Sequence, residues 1–362
     1  MILFCCFIFG IYCLSMLQLY VGFDNIKTFE TQNTKPKTKF SVVIPFRNEA
    51  HNLPNLLGSF EKLNYPICNF EIILVDDDSD DNFILQSHSI DLSVIKNIRK
   101  SSSAKKDAIL TAIKNAKFDW IVTTDADCLV GENWLQILDQ FIQNKNVEMI
   151  VGAVKYESEN SFLHQFQALD IASLQGVTIG SFGISSGFMC NGANFAYTKN
   201  LFASLNGFEG NNQIASGDDV FLLQKAMSES PKKVGYLKSS GYIVTTKPLD
   251  SWPALFYQRV RWASKTFAYK SVYAKMLGSF VFATNILTVY CLISILFNFK
   301  IMILILLFSK FIVDAMIIIK TNKFLQSKTK FLLLGSLCYP FFSVGVALYS
   351  MFGKYNWKGR KI

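Results

Sequence analysis

"WIVTTDADC", Trp120 to Cys128, holds the feature on which the fold turns. Trp120-Ile121-Val122 has the composition of a strand entering a core, yet the run ends in Asp125 and Asp127, two carboxylates one residue apart. In open α/β sheets, ligands bind beyond the carboxyl ends of the strands, where the loops converge. Paired negative charge at such a place costs stability unless a cation or a donor neutralises it. The stretch therefore reads as a buried strand opening onto a site for something positive. Taken alone, D-x-D is a common tripeptide and equally describes a solvated loop.

Working outward, Ser41-Val42-Val43-Ile44 and Phe70 to Val75 are short β-branched runs that also end in polar residues. Asn52 to Leu63 and Lys105 to Ala116 have apolar residues at helical spacing. Strand–helix–strand alternation at this spacing predicts a mostly parallel, Rossmann-like α/β sheet. Two more acidic clusters fall near strand ends, Asp76-Asp77-Asp78 and Gly217-Asp218-Asp219. The apolar Val220 to Leu223 that follows makes Asp218 a candidate helix N-cap and leaves Asp219 for chemistry. Mg²⁺ and Mn²⁺ favour oxygen ligands and commonly take one or two carboxylates together with substrate phosphates. Lys105 and Lys106, by themselves, read as a solvated helix start. The three histidines, His51, His88 and His164, have no partner by spacing and receive no role.

Over 362 residues, 51% are hydrophobic and the formal net charge is +9. Without a Lys/Arg-rich run interleaved with aromatics, that charge points to a membrane surface or anionic substrates and away from nucleic acid. The eight cysteines form no C-x-x-C or Cys/His pattern, which excludes a disulfide framework or zinc site as the organising principle. Cys128 and Cys190 flank motifs but read as small buried fillers.

Residues 1–23 contain an uncharged apolar run without a basic n-region or small-residue cleavage site, and are expected to be an uncleaved transmembrane anchor. Residues 24–39 read as a linker, 40–250 as the α/β domain, and 251–275 as a basic interfacial helix carrying Arg259, Arg261, Lys265, Lys270 and Lys275. Within 276–352, three segments (Met276 to Phe297, Ile301 to Ile319, Phe331 to Phe352) have or approach spanning length, so two to three C-terminal transmembrane helices are expected. Lys27, Lys35, Lys37 and Lys39 follow the first helix, which places the α/β domain in the cytoplasm of a cell (inner) membrane protein. Three further spans would put the basic tail, 353–362, outside, so one of them, Phe331 to Phe352 foremost, is alternatively interfacial or re-entrant. Phe162 to Asn191 carries one charge, Asp170, and is too polar for an unbroken span; it reads as a surface facing the bilayer or a hydrophobic acceptor. Asp314, inside a candidate span, is either a functional group or the partner of a neighbouring lysine at the membrane edge.

The order of "SVVIPFRNE", "EIILVDDDSDD", "AKKDAI", "TTDADC", "GANFAY", "GDDVFLLQKA" and "QRVRW" resembles the membrane-attached family 2 glycosyltransferases. These inverting GT-A enzymes include cellulose, hyaluronan and poly-N-acetylglucosamine synthases and ceramide glucosyltransferase. The resemblance covers about Phe40 to Trp262. It implies that Pro45, Arg47 and Glu49 line a nucleotide pocket, that Asp76 and Asp77 meet base and ribose, and that Lys105 lies near the nucleotide. It further implies that Asp125 and Asp127 bind the sugar-phosphate end and a Mg²⁺ or Mn²⁺ ion, with Asp127 the firmer ligand. Asp219 falls at the general base, and Gln258, Arg261 and Trp262 match QxxRW, which holds the diphosphate and shapes the acceptor site. Asp78 stands where the family usually has Gly, and Asp218 where Glu is frequent. The implied reaction moves a sugar from a nucleoside diphosphate, UDP foremost, to a lipid or glycan hydroxyl. The rival readings are a membrane transporter and a non-catalytic sugar-nucleotide-binding scaffold, which would not need the full set of acids and QxxRW.

Overall fold

The computed structural model describes residues 2–32, 34–81, 89–157, 160–211, 214, 216–297 and 300–352, with the backbone of 356–357 and 360–361. His88, Lys354 and Lys358, and the side chains of Arg360 and Lys361, lie outside the described residues. In chain order the helices are α1 (Ile2–Asn25), α2 (Leu53–Glu61), α3 (Ala104–Asn115), α4 (Trp134–Asn144), α5 (Phe162–Gly183), α6 (Lys199–Ser204), α7 (Asp218–Glu229), α8 (Trp252–Ser264), α9 (Val272–Ser294), α10 (Ile301–Leu325) and α11 (Leu332–Phe352). The strands are β1 (Phe40–Phe46), β2 (Phe70–Asp76), β3 (Leu92–Lys96), β4 (Trp120–Thr123), β5 (Cys128–Leu129), β6 (Met149–Gly152), β7 (Val154–Tyr156), β8 (Phe195–Thr198), β9 (Val234–Leu237) and β10 (Val244–Thr246). Two compact units result, each assembled from separated stretches of chain.

The first comprises Lys27–Glu157 and Met189–Lys247. Its seven-stranded sheet runs in the order β3-β2-β1-β4-β8-β6-β9. Strand β1 lies between β2 and β4, parallel to both, with Val43 opposite Ile73 and Thr123. That shared register brings the residues after β1, β2 and β4 to one edge. Strand β8 is antiparallel to β4 and opens where β4 closes, Phe195 facing Thr123. The residues just before β8 therefore arrive at the same edge. Helix α2 shows why sequence and layer agree: Leu53, Leu56, Leu57 and Phe60, spaced i, i+3, i+4, i+7, are all buried against the sheet. On α4, Trp134 stacks on Tyr242 with ring centroids 6.1 Å apart. The segment before β1 is tied down, since Gln32 N donates to Gln140 Oε1 and Thr38 N to Asp139 Oδ1.

The second unit comprises Met1–Ile26, Ser158–Phe188 and Pro248–Ile362. Four of its helices, α1, α9, α10 and α11, are long and apolar enough to cross a membrane: one N-terminal and three C-terminal. The third C-terminal segment is one continuous 21-residue helix with Pro340 inside it. Phe162 to Asn191 departs from the surface expected of it: most of this stretch is the 22-residue α5, and residues around most of its circumference are buried. The reason is glycine. A Cβ on Gly180 would stand 2.4 Å from the Leu19 carbonyl oxygen, and one on Gly22 would stand 2.3 Å from that of Gly180. Without side chains there, the α1 and α5 backbones touch. Asp314 has a neighbouring lysine as partner, but in the middle of α10 and not at its edge: Lys310 Nζ lies 2.6 Å from its Oδ2, and the Tyr12 hydroxyl donates to its Oδ1.

Candidate active site

Beyond β4, the chain turns tightly through Asp125-Ala126-Asp127, closed by Cys128 N donating to the Asp125 carbonyl at 3.2 Å. Strand β5 then pairs with β10, which fixes the turn on its far side. The Asp125 carboxylate already has a cation: Lys105 Nζ lies 2.6 Å from its Oδ1 and 3.7 Å from Asp218 Oδ2. Lys105 lies in the first turn of α3, so that helix delivers an ammonium to the turn after β4 and to the first turn of α7. Burial alone would push that ammonium down, but Asp125, Asp218 and Asp219 reverse the effect and raise it, so it stays charged. The expectation of a solvated lysine pair therefore fails. Lys106 is also buried and donates to the carbonyls of Asn211 and Ile214 at 2.7 and 2.8 Å.

Gly217 occupies the N-cap of α7, with φ +81°, so Asp218 and Asp219 lie in the first turn and Asp218 is not the cap. The left-handed backbone that glycine tolerates takes the cap position, and both acids face the positive end of the helix. Asp219 accepts from Gly192 N at 2.9 Å through Oδ2 and from Val220 N at 2.7 Å through Oδ1. Two backbone donors thus fix its orientation. Gly192 is held by Thr123, whose hydroxyl donates to its carbonyl at 2.6 Å. A Cβ on Gly192 would lie 3.3 Å from Asp218 Oδ2 and 3.4 Å from Lys105 Nζ. Lys105, Asp125, Gly192, Asp218 and Asp219 consequently converge on one small volume. Asn194, two residues on, is structural: its amide donates to the carbonyls of Ala153 and Tyr242 and accepts from Trp134 Nε1.

A second cluster gathers at the ends of β1 and β2. Asp76 Oδ1 accepts from Ser79 N at 2.9 Å, and Asp78 adopts φ +64°, the left-handed turn position where glycine is usual. Asp77 is buried and receives Arg99 through two parallel bonds of 2.7 Å, with Asn97 donating to it at 2.7 Å. Arg47 Nη1 reaches the Asp77 carbonyl at 3.4 Å. Half-buried Pro45 pairs with Val75 in the sheet, and Glu49 accepts from the Asn52 amide at 2.7 Å beside the start of α2. Arg99, Asn97 and Gly192 had no role from sequence; the signal for Arg99 was its place just after a strand, beside an acidic loop.

Gln258, Arg261 and Trp262 sit together on α8 in the helical unit. There Arg259, between them in sequence, pairs with Asp170 at 2.6 Å and stacks 4.2 Å over the Trp262 ring. His164 Nε2 lies 3.1 Å from Asp250 Oδ1, a partner invisible in the spacing. Cys128 is buried, and burial, with Asp127 and Asp125 nearby, pushes its thiol up, as suits an inert filler. Among the described residues no group of three or more His, Cys, Asp or Glu side chains forms a protein-made metal cage. Asp125 and Asp127 instead offer the hard-oxygen pair that suits Mg²⁺ or Mn²⁺ when substrate phosphates and water complete the shell.

Residues 41–203 match the glycosyl transferase family 2 model. Glycosyltransferase GlyG of Streptococcus pneumoniae is 32% identical over 119 residues, 31% of this chain and 38% of that protein. The probable glycosyltransferase YdaM of Bacillus subtilis is 23% identical over 274 residues, 68% of this chain and 61% of that one. The chain thus spans 38% and 61% of the lengths of these two curated relatives. Among solved structures, the mannosyltransferase PcManGT from Pyrobaculum calidifontis, in complex with GDP-Man and Mn²⁺, shares the fold with a TM-score of 0.56 at 15% identity, covering 96% of this chain and 98% of that one. Sheet order, acidic edge and family match agree: residues 41–203 are a glycosyl transferase family 2 domain on a GT-A fold.

Proposed function

We propose that the chain is an inverting glycosyltransferase that moves a sugar from a nucleoside diphosphate, UDP foremost, to a hydroxyl of a lipid or glycan. The observation that carries this reading is the convergence of Asp125, Lys105, Asp218, Asp219 and Gly192 at the edge where β4 ends and β8 begins. Pro45, Arg47, Glu49, Asp76 and Asp77 bind the nucleotide, and Arg99 orients Asp77 through its two hydrogen bonds. Asp125 and Asp127 hold Mg²⁺ or Mn²⁺, which when bound neutralises part of the diphosphate charge. A carbohydrate nucleotide with Mn²⁺ in the mannosyltransferase of the same fold supports that donor class.

Asp219 accepts the proton of the acceptor hydroxyl as its oxygen attacks the anomeric carbon. The bond from that carbon to the diphosphate oxygen breaks, and its electron pair leaves with the diphosphate. Lys105 takes up part of the charge that develops there. One displacement, with no enzyme nucleophile, inverts the anomeric centre. Gln258 and Trp262 shape the acceptor side. The lysines after α1 favour a cytoplasmic location for the sheet unit, and exposed Trp252 and Tyr257 in the basic stretch 251–275 suit a membrane interface.

The test is transfer by the detergent-purified chain from a panel of nucleotide sugars to membrane lipids and glycans, with and without Mg²⁺ or Mn²⁺. Metal-dependent product with inverted configuration is expected. Undiminished transfer in excess EDTA removes the metal from the reading, and retention of configuration removes the single displacement.

A further inference from the structure

Helix α5 carries a single charged residue, Asp170, and α8 carries an arginine that the QxxRW pattern leaves unassigned, Arg259. They meet: Arg259 Nε donates to Asp170 Oδ2 at 2.6 Å, with side chains 6% and 4% exposed. The same guanidinium makes two further contacts. Its Nη1 donates to the Gln258 side-chain oxygen, and its carbon lies 4.2 Å over the Trp262 ring. A guanidinium is flat, permanently charged and carries five donors in a fixed fork, so one group can grip a carboxylate, an amide and an indole face together. A buried ion pair is a poor way to gain stability, because well-packed apolar residues of similar volume usually do as well or better. What the pair supplies that apolar packing cannot is a fixed orientation for its neighbours.

We infer that Arg259, anchored by Asp170, is a positioning residue for the acceptor-side pair Gln258 and Trp262. It rests on the transferase reading of those two residues. The guanidinium holds the indole and the amide in one arrangement before substrate arrives, so that ordering them is not charged against the reaction.

Full-length chains carrying Arg259→Met with Asp170→Leu, and Arg259→Lys alone, separate this from a structural role. The double variant removes both charges and leaves none buried unpaired. Arg259→Lys keeps a cation for Asp170 but lacks the flat fork. Both are expected to melt near the unsubstituted protein. Turnover is expected to fall roughly 10–100-fold, with nucleoside-diphosphate affinity by calorimetry unchanged. Trp262 emission, taken as the difference between each chain and its Trp262→Phe counterpart, is expected to brighten and shift to the red. Turnover within twofold of the unsubstituted chain in a folded double variant overturns the inference. So does nucleotide affinity that falls in step with turnover, or an unchanged Trp262 emission. If the unsubstituted chain transfers no sugar at all, the transferase reading fails, while the emission comparison still decides whether Arg259 positions Trp262.

Discussion

Two acid–base contacts of equal length, 2.6 Å, behave as opposites. In the sheet unit, Lys105 meets Asp125 with side chains 23% and 36% exposed, and one ammonium faces the carboxylates of Asp125, Asp218 and Asp219. In the helical unit, Arg259 meets Asp170 out of water, one charge for one. The closed pair is balanced and positions its surroundings. The open one is partly exposed, and water screens it, so Lys105–Asp125 is worth little to stability, about 0–1 kcal/mol. Exposure separates the two contacts where distance does not.

The comparison can be broken first at the open cluster. Asp219→Asn is expected to lower turnover by roughly 10²–10⁴-fold, the usual worth of a positioned base, with donor affinity almost unchanged. Asp127→Asn is expected to lose both turnover and metal-dependent nucleotide binding. Calorimetry beside rate measurement decides, and equal loss of donor binding in the two variants makes Asp219 a ligand instead. At the closed pair, Asp170→Leu alone takes the carboxylate from a buried guanidinium and should cost about 3–5 kcal/mol, read as a lowered thermal midpoint in detergent. Lys105→Met, its counterpart at the open edge, should move the midpoint little while weakening nucleotide binding; a large midpoint drop would erase the contrast.

Smaller effects sharpen the picture. Gly192→Ala places a methyl 3.3 Å from Asp218 Oδ2 and 3.4 Å from Lys105 Nζ, so those groups must yield by a few tenths of an ångström. Turnover should fall roughly tenfold at constant melting temperature, whereas unchanged turnover would show the volume to be slack. Asp78→Gly puts glycine at φ +64°, where relief of strain and greater freedom of the unfolded chain oppose each other. A stability change under about 1 kcal/mol is expected in thermal melts.

Strands β1, β2 and β4 and helices α2 and α3 were legible because each carries its own periodicity. The order around β8 was not, since four residues cannot announce that they run antiparallel, and it is this reversal that brings Gly192 to the edge where β4 ends. Asp125 and Asp219 were legible as acids beside strand or helix ends. Their lysine partner looked solvated because its neighbours are 20 and more than 100 residues away. Asp218 was expected to cap α7, but Gly217 takes the cap through a backbone angle that composition does not display. Asp170 and Arg259 were each visible, one as a lone charge and one inside a motif. Nothing local joined them.

The glycine seam between α1 and α5 has a consequence for the order in which the molecule is made. Asn25 donates to the carbonyl of Gly183, 158 residues later, and Gly22 lies against Gly180. At about 5–20 residues per second of synthesis, the first helix waits roughly ten to thirty seconds before the helix that covers its glycine face exists. During that interval its bare backbone ridge is open to any other small-residue helix nearby. The helical unit cannot mature from the N-terminus inward; it closes only after the first part of the sheet unit has been made.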